Sequence, residues 1–145
     1  MPRVIDAGLE RLHQHLQTIP LATVKREPDK PITLTAAGAV LLFDGDGQVE
    51  EESLSPRTYH WRWVAEIEIR AAGTGRRATT DGLLSAVATL ISGDPTMGGT
   101  VDYAEMEPLT DIAEDPVEGN HTERQAMVPV AFYFATTDAL GFTRA

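Results

Sequence analysis

The sequence contains no cysteine, which removes disulfides, thiolate nucleophiles and cysteine-ligated zinc, and leaves the redox compartment unread. Long apolar runs are also missing: a run such as Ala36 to Phe43 is too short to span a bilayer. The opening Met-Pro-Arg-Val-Ile-Asp-Ala-Gly-Leu-Glu has no apolar signal core, so a soluble protein with no membrane partner is expected. Positive charge is scarce. Asp and Glu number 22 against 12 Lys and Arg, for a formal charge of −10, and that repulsion argues against a phosphate backbone as the natural ligand. Catalytic signatures are lacking too. There is no Gly-x-Ser-x-Gly, His-Glu-x-x-His or phosphate-loop sequence, and the carboxylates show no sign of an acid and base pair. His13 and His15 sit two apart on a helix and point in different directions, while His60 and His121 are isolated, so no metal cluster is legible. No catalytic residue, metal or cofactor is expected, and the chain reads as a non-enzyme. Internal repeats and low-complexity tracts are absent.

What is present is enough for one domain. With 145 residues, 42% hydrophobic and 23% charged, the chain can bury roughly 70% of its unfolded surface in a single core. Residues 4 to 19 predict a helix, because Ile5, Leu9, Leu12, Leu16 and Ile19 recur on one face at 3.6 residues per turn. Pro2 suits its first turn and Pro20 closes it. Lys25 to Pro31 reads as a linker. Ile32, Leu34 and Ala39 to Phe43 read as strand, and Asp44-Gly45-Asp46-Gly47 as the turn that follows. Residues 57 to 70 alternate most strictly, with Tyr59, Trp61, Trp63, Ala65, Ile67 and Ile69 opposite His60, Arg62, Glu66, Glu68 and Arg70. One face should be buried and one wet, as in an antiparallel sheet covered on one side.

A loop, Gly73 to Arg77, should precede a second helix that starts at Thr80 or Asp81 and buries Leu83, Leu84, Val87, Leu90 and Ile91 before Gly93 and Pro95 stop it. Thr100 to Glu107 reads as a strand and Pro108 to Asn120 as an acidic loop. A last strand, Thr122 to Ala135, sets Val128, Val130, Phe132 and Phe134 opposite Ala131 and Tyr133. Pro129 within it calls for an edge position or a bulge. The predicted class is α+β: an antiparallel sheet of about four strands with two or three helices packed on one face, in one domain over residues 1–145, with 137–145 as an extended tail.

Two motifs invite a ligand. Gly73-Thr74-Gly75-Arg76-Arg77-Ala78 matches a loose dinucleotide fingerprint, with Asp94 near the distance of a ribose contact. That fingerprint needs a buried parallel strand and a second β-α-β half, whereas the strand before it is half wet, so a flexible loop is favoured. Asp44-Gly45-Asp46-Gly47-Gln48 resembles the start of a calcium loop but lacks the third oxygen ligand and the glutamate at its twelfth position, which favours a hairpin turn.

Charge is segregated along the chain. Residues 102 to 123 hold Asp102, Glu105, Glu107, Asp111, Glu114, Asp115, Glu118 and Glu123 without a lysine or arginine, while residues 57 to 77 hold Arg57, Arg62, Arg70, Arg76 and Arg77. One reading sets Arg57, Arg62, Arg76 and Arg77 against Asp111, Glu114, Asp115 and Glu118 of a neighbouring subunit; the other is a solvated acidic loop.

The helix Ile5 to Ile19, the β segment from Pro31 through Ala39-Val40-Leu41-Leu42-Phe43 to Glu50-Glu51-Glu52, the alternating strand Tyr59 to Arg70, the helix Leu83 to Ile91, and the acidic stretch before Phe132-Tyr133-Phe134 follow one another in an order that resembles the tail terminator proteins of long-tailed bacteriophages. These are the minor tail protein U family and related gene transfer agents. The glycine-rich 73 to 75 loop and the chain after Thr137 depart from that pattern. The resemblance implies a structural virion protein at the head-proximal end of the tail, assembled in the host cytoplasm. Its subunits would form a ring, a homohexamer, that caps the tail tube, stops tail polymerisation and offers the joining surface to the head-tail connector. The partners implied are further copies of itself, the tail tube protein and the connector protein, with DNA passing through the lumen without specific binding. Within this picture Asp44, Asp46, Glu50, Glu51 and Glu52 are expected to face the lumen or the tube. A head-tail connector or head-completion protein is the alternative in the structural class, and a small nucleotide-binding enzyme using the Gly73 to Ala78 loop the alternative outside it.

Overall fold

The computed structural model describes residues 1–117 and 121–145. Eight elements follow along the chain: α1 (Val4–Leu16), β1 (Thr23–Arg26), β2 (Ala39–Ser53), β3 (Thr58–Ala72), α2 (Arg76–Gly93), β4 (Tyr103–Met106), β5 (Asp111–Val117) and β6 (His121–Thr136). The strands form one six-stranded sheet in the order β1-β2-β3-β6-β4, with β5 also paired to β6. The α+β class holds, but the sheet is larger than expected and mixed. Two helices are found, within the expected two or three, and β1 lies parallel to β2 while every other pair is antiparallel.

In α1 the apolar stripe is buried as its spacing dictates: Ile5, Leu9, Leu12 and Leu16 are all within the core, each contributing about 1.5–3 kcal/mol of transfer free energy. Asp6 accepts the Arg3 amide at 2.7 Å, half of a capping box. The helix ends at Leu16, three residues before the expected end, because Thr18 turns its hydroxyl onto the His15 carbonyl (2.6 Å). Ile19 still reaches the core, so the periodicity outlives the helix. In α2 the expected start at Thr80 or Asp81 is corrected to Arg76. Thr80 is no cap: it is buried within the helix with its hydroxyl on the Arg76 carbonyl (2.8 Å), which satisfies the buried polar atom inside the helix.

Both helices share one core with a single sheet face, built from Val40 and Leu42 on β2, Trp61, Trp63, Ala65, Ile67 and Ile69 on β3, and Val130, Phe132 and Phe134 on β6. The alternation read from Tyr59 to Ile69 is therefore the inside-outside pattern of β3. Trp61 stacks on Phe134 with centroids 6.0 Å apart, and its indole N–H donates to Thr136 Oγ1 at 2.9 Å. The Trp63 indole donates to the Asp44 carbonyl at 2.7 Å, so both large rings enter the core with their polar atom satisfied.

Four expectations from the sequence are corrected by long-range pairing. The Lys25 to Pro31 linker begins inside β1, and Ile32 and Leu34 lie outside any strand. Asp44 to Gly47 is not a turn: β2 runs through it, and the register slips between Phe43 and Asp46. Gly45 takes φ +69°, where an added Cβ would stand 1.8 Å from the Val64 carbonyl oxygen, and a Cβ on Gly47 would stand 2.4 Å from the Trp63 ring. The glycines thus serve a bulge and a close approach, both uses that mimic a turn in sequence. The strands reverse instead at residues 54–57. Pro108 to Asn120 is not wholly loop, since Asp111–Val117 pairs with β6.

Pro129 lies in β6 between two strands rather than at an edge. Its carbonyl accepts the Glu107 amide at 2.9 Å, so its missing donor faces the gap between β4 and β5, where no ladder bond is lost. Residues 137–145, expected as an extended tail, fold back. Ala145 donates to the Ala135 carbonyl (3.0 Å) and Val4 to the Gly141 carbonyl (2.8 Å). Asp138 holds this return by accepting the amides of Phe142 and Thr143, which keeps its carboxyl below the usual range.

Candidate interaction surface

With the helices on one face, the sheet offers a second face, partly covered by the segment 28–36 near Thr23, Lys25 and Ala72, and two unlike ends. At one end β1 covers only the first four residues of β2, Ala39 to Leu42. The rest of β2, carrying Asp46, Glu50, Glu51 and Glu52, is an exposed edge. A second register slip between Val49 and Glu51 and the run of acids blunt this edge against unplanned pairing. At the other end β5 and β4 lie end to end along β6.

The sequence-derived residues divide into those with a partner in the chain and those without. Arg76 and Arg124 converge on the Glu114 carboxylate, at 3.2 and 3.1 Å, and together lower its pKa. Arg76 and Glu114, anticipated on opposite sides of a subunit boundary, thus meet within one chain and clamp the start of α2 to β5. Arg62 donates to Glu107 at 2.6 Å across this second face, and Arg57 to Glu52 at 3.2 Å across the hairpin end. Asp44 takes a two-pronged contact from Arg26, at 2.7 and 2.9 Å, which engages both carboxylate oxygens and pushes the guanidinium pKa up. Among the described residues, Arg77, Asp46, Glu50, Glu51 and Asp111 have no ion-pair partner. The side chain of Asp115 and the whole of Glu118 lie outside the described residues.

The ligand motifs lose their context. The Gly73 to Ala78 loop follows β3, which is antiparallel to both neighbours, and Arg76 and Arg77 already belong to α2. Asp94 sits beyond the far end of that helix, bound to Gly98, His15 and Arg11, and cannot serve a ribose near Gly75. Two open hollows of about 500 and 410 Å3 flank the segment 28–36. The first carries one ionisable group, Glu123; the second is rimmed by Lys25, Asp29 and Lys30 around Pro28, Pro31 and Ile32. Among the described residues no three His, Cys, Asp or Glu side chains gather in a metal-binding group, and no helix is long and apolar enough to cross a membrane.

Sequence reasoning missed the two outermost strands and, with them, Lys25 and Ile112. The available signals were short: the β-branched pair Thr23-Val24 beside a linker, and Ile112 alone in an acidic run. Ile112 is 47% exposed on the helix-facing side of the edge strand, where none of the described residues covers it fully.

No family model matches the chain, and no curated protein does. Among solved structures, a chain from a particle described as the virion of a native gene transfer agent superposes with a TM-score of 0.44 at 13% identity, over 86% of this chain and 93% of that one.

Proposed function

We propose that this chain is a ring-forming structural subunit of a phage-like virion, and specifically a tail terminator. In this reading copies close head to tail into a homohexamer on the head-proximal end of the tail tube, stop its growth and present a face to the head-tail connector. The observation that carries the reading is the unlike pair of open sheet ends. A head-to-tail contact repeated around a ring uses two different patches of one subunit, which need not resemble each other, and this sheet is unfinished at both ends with different chemistry. The order of elements that resembles the minor tail protein U family agrees with it. So does the charge: a −10 subunit lining a channel does not hold the DNA that must slide through it. The acids Asp46, Glu50, Glu51 and Glu52 on the exposed half of β2 would face the lumen or the tube.

The test is the absolute mass in solution by light scattering, with and without magnesium and at low and high salt. A mass near six subunits, or a shift toward it as magnesium screens the acids, is the expected result. A monomer under every condition that also ignores isolated tail tubes would overturn the reading.

A further inference from the structure

The ladders of the sheet align residues across its full width. One continuous rung runs Lys25, Leu41, Glu68, Met127, Asp111; the next runs Val24, Val40, Ile69, Ala126, Ile112; the third runs Thr23, Ala39, Arg70, Gln125, Ala113. Each rung begins on β1 and ends on β5, so the two outer strands stand at the same height on opposite ends of the sheet. Their end residues are complementary in kind. Lys25 and Asp111 are exposed, opposite in charge and without an ion-pair partner among the described residues. Val24 and the exposed Ile112 are apolar, and Thr23 and Ala113 are small.

The backbones also agree. β1 runs with β2, against β3, with β6 and against β5, so β1 laid beside the β5 of an identically oriented neighbour is antiparallel to it. On β1 the Thr23 amide goes to Gly38 and the Glu27 amide to Leu42, which by alternation turns the polar groups of Val24 and Arg26 outward. On β6 the Met127 carbonyl faces β5, where it accepts the Thr110 amide at 3.1 Å. Asp111 opposite it therefore faces inward and Ile112 outward. Joined rung to rung, Val24 and Ile112 become a hydrogen-bonded pair. Lys25 with Asp111 and Thr23 with Ala113 become the closer non-hydrogen-bonded pairs, in which side chains approach most tightly.

We infer that β1 of one copy pairs antiparallel with β5 of a second copy, Lys25 opposite Asp111, so that the sheet continues from subunit to subunit. The inference rests on the ring reading above and names its contact. A head-to-tail contact closes into a ring when the rotation between neighbours completes a full turn, and this register adds no step along the strands.

The cysteine-free chain makes the test direct, because Cα atoms of a non-hydrogen-bonded pair are about 4.5 Å apart, within the span of a disulfide. Lys25→Cys protein is mixed with Asp111→Cys protein under mild oxidation, and in parallel with Asp102→Cys protein, whose exposed acid lies beside β4. The mixed disulfide with position 111 is expected at least tenfold faster than with position 102, and a chain carrying both Lys25→Cys and Asp111→Cys should give a ladder ending in one closed species. Equal rates while the wild-type chain has an oligomeric mass would overturn the β1–β5 contact and leave the ring standing. Equal rates with a wild type that stays monomeric and ignores isolated tail tubes would overturn both. A selective cross-link whose ladder never closes would support the contact and overturn the closed ring. Charge reversal is the second readout: Lys25→Asp or Asp111→Lys alone should lower the oligomer fraction several-fold and the double reversal restore it. A double variant no better than the singles would count against the pair.

Discussion

Asp94 shows how one carboxylate can join two elements. It accepts the Gly98 amide at 2.9 Å, the His15 ring at 2.7 Å and the Arg11 guanidinium at 3.2 Å, and so ties the end of α2 to the outer side of α1. Its pKa is held down at about 2, first by the Gly98 amide and then by His15 and Arg11. An unfolded aspartate titrates near 3.9 (about the model-peptide value), so the sign follows: the lowered native pKa stabilises the fold above about pH 4, and the gain is lost as pH falls toward 2. Asp94→Asn should cost about 1–2 kcal/mol at pH 7. In urea titrations the gap between the two proteins should shrink steadily from pH 4 to pH 2; a gap of constant size would show that the charge on Asp94 is not what matters. The residues themselves gave no hint that Asp94 joins the two helices, because His15 and Arg11 lie 79 and 83 positions away in sequence.

Among the elements, β2 departs most from its local signals. Asp-Gly-Asp-Gly is turn chemistry by composition, yet strand pairing on the β3 side overrides it, and Gly45 and Gly47 become the points where the strand kinks and the Trp63 ring presses in. Gly45→Ala should therefore cost about 2–4 kcal/mol, since the new methyl meets backbone that cannot retreat and the residue keeps a positive φ. Thermal unfolding followed by tryptophan fluorescence would check it, and an unchanged midpoint would mean that the bulge can relax. The periodic elements were the legible ones. Ile5 to Leu16 and Tyr59 to Ile69 each carry enough repeats of one period to mark a face. Thr23 to Arg26 and Asp111 to Val117 do not, being short, edge-lying and, in the second, too acidic to pattern as a half-buried strand.

At the scale of the molecule, the division of charge decides what the surface can meet. Most arginines in the 57 to 77 stretch are already matched within the chain, while Asp46, Glu50 and Glu51 of β2 are exposed. If those acids face the tube or lumen, replacing Glu50, Glu51 and Glu52 with Gln should leave the fold and the oligomer mass unchanged and alter binding to isolated tail tubes. Circular dichroism, light scattering and co-sedimentation together would read this, and a loss of fold would assign these residues to stability instead. The charge segregation was visible in sequence; that Arg76 and Glu114 close on each other inside one chain was not, because a separation of 38 positions says nothing about which chain supplies the partner.

The sequence by itself determined the class, the two helical stripes, the two-faced β3 strand and the acidic surface, all of which depend on period and composition. Only the tertiary structure decided that β1 and β5 exist, that they stand at the two ends of the same rungs, and that Lys25 and Asp111 therefore share a height. The physical reason lies in what periodicity reports. It tells to which side a side chain points, through local backbone geometry, while the identity of the neighbouring strand is set by non-local hydrogen bonds whose register depends on the whole sheet.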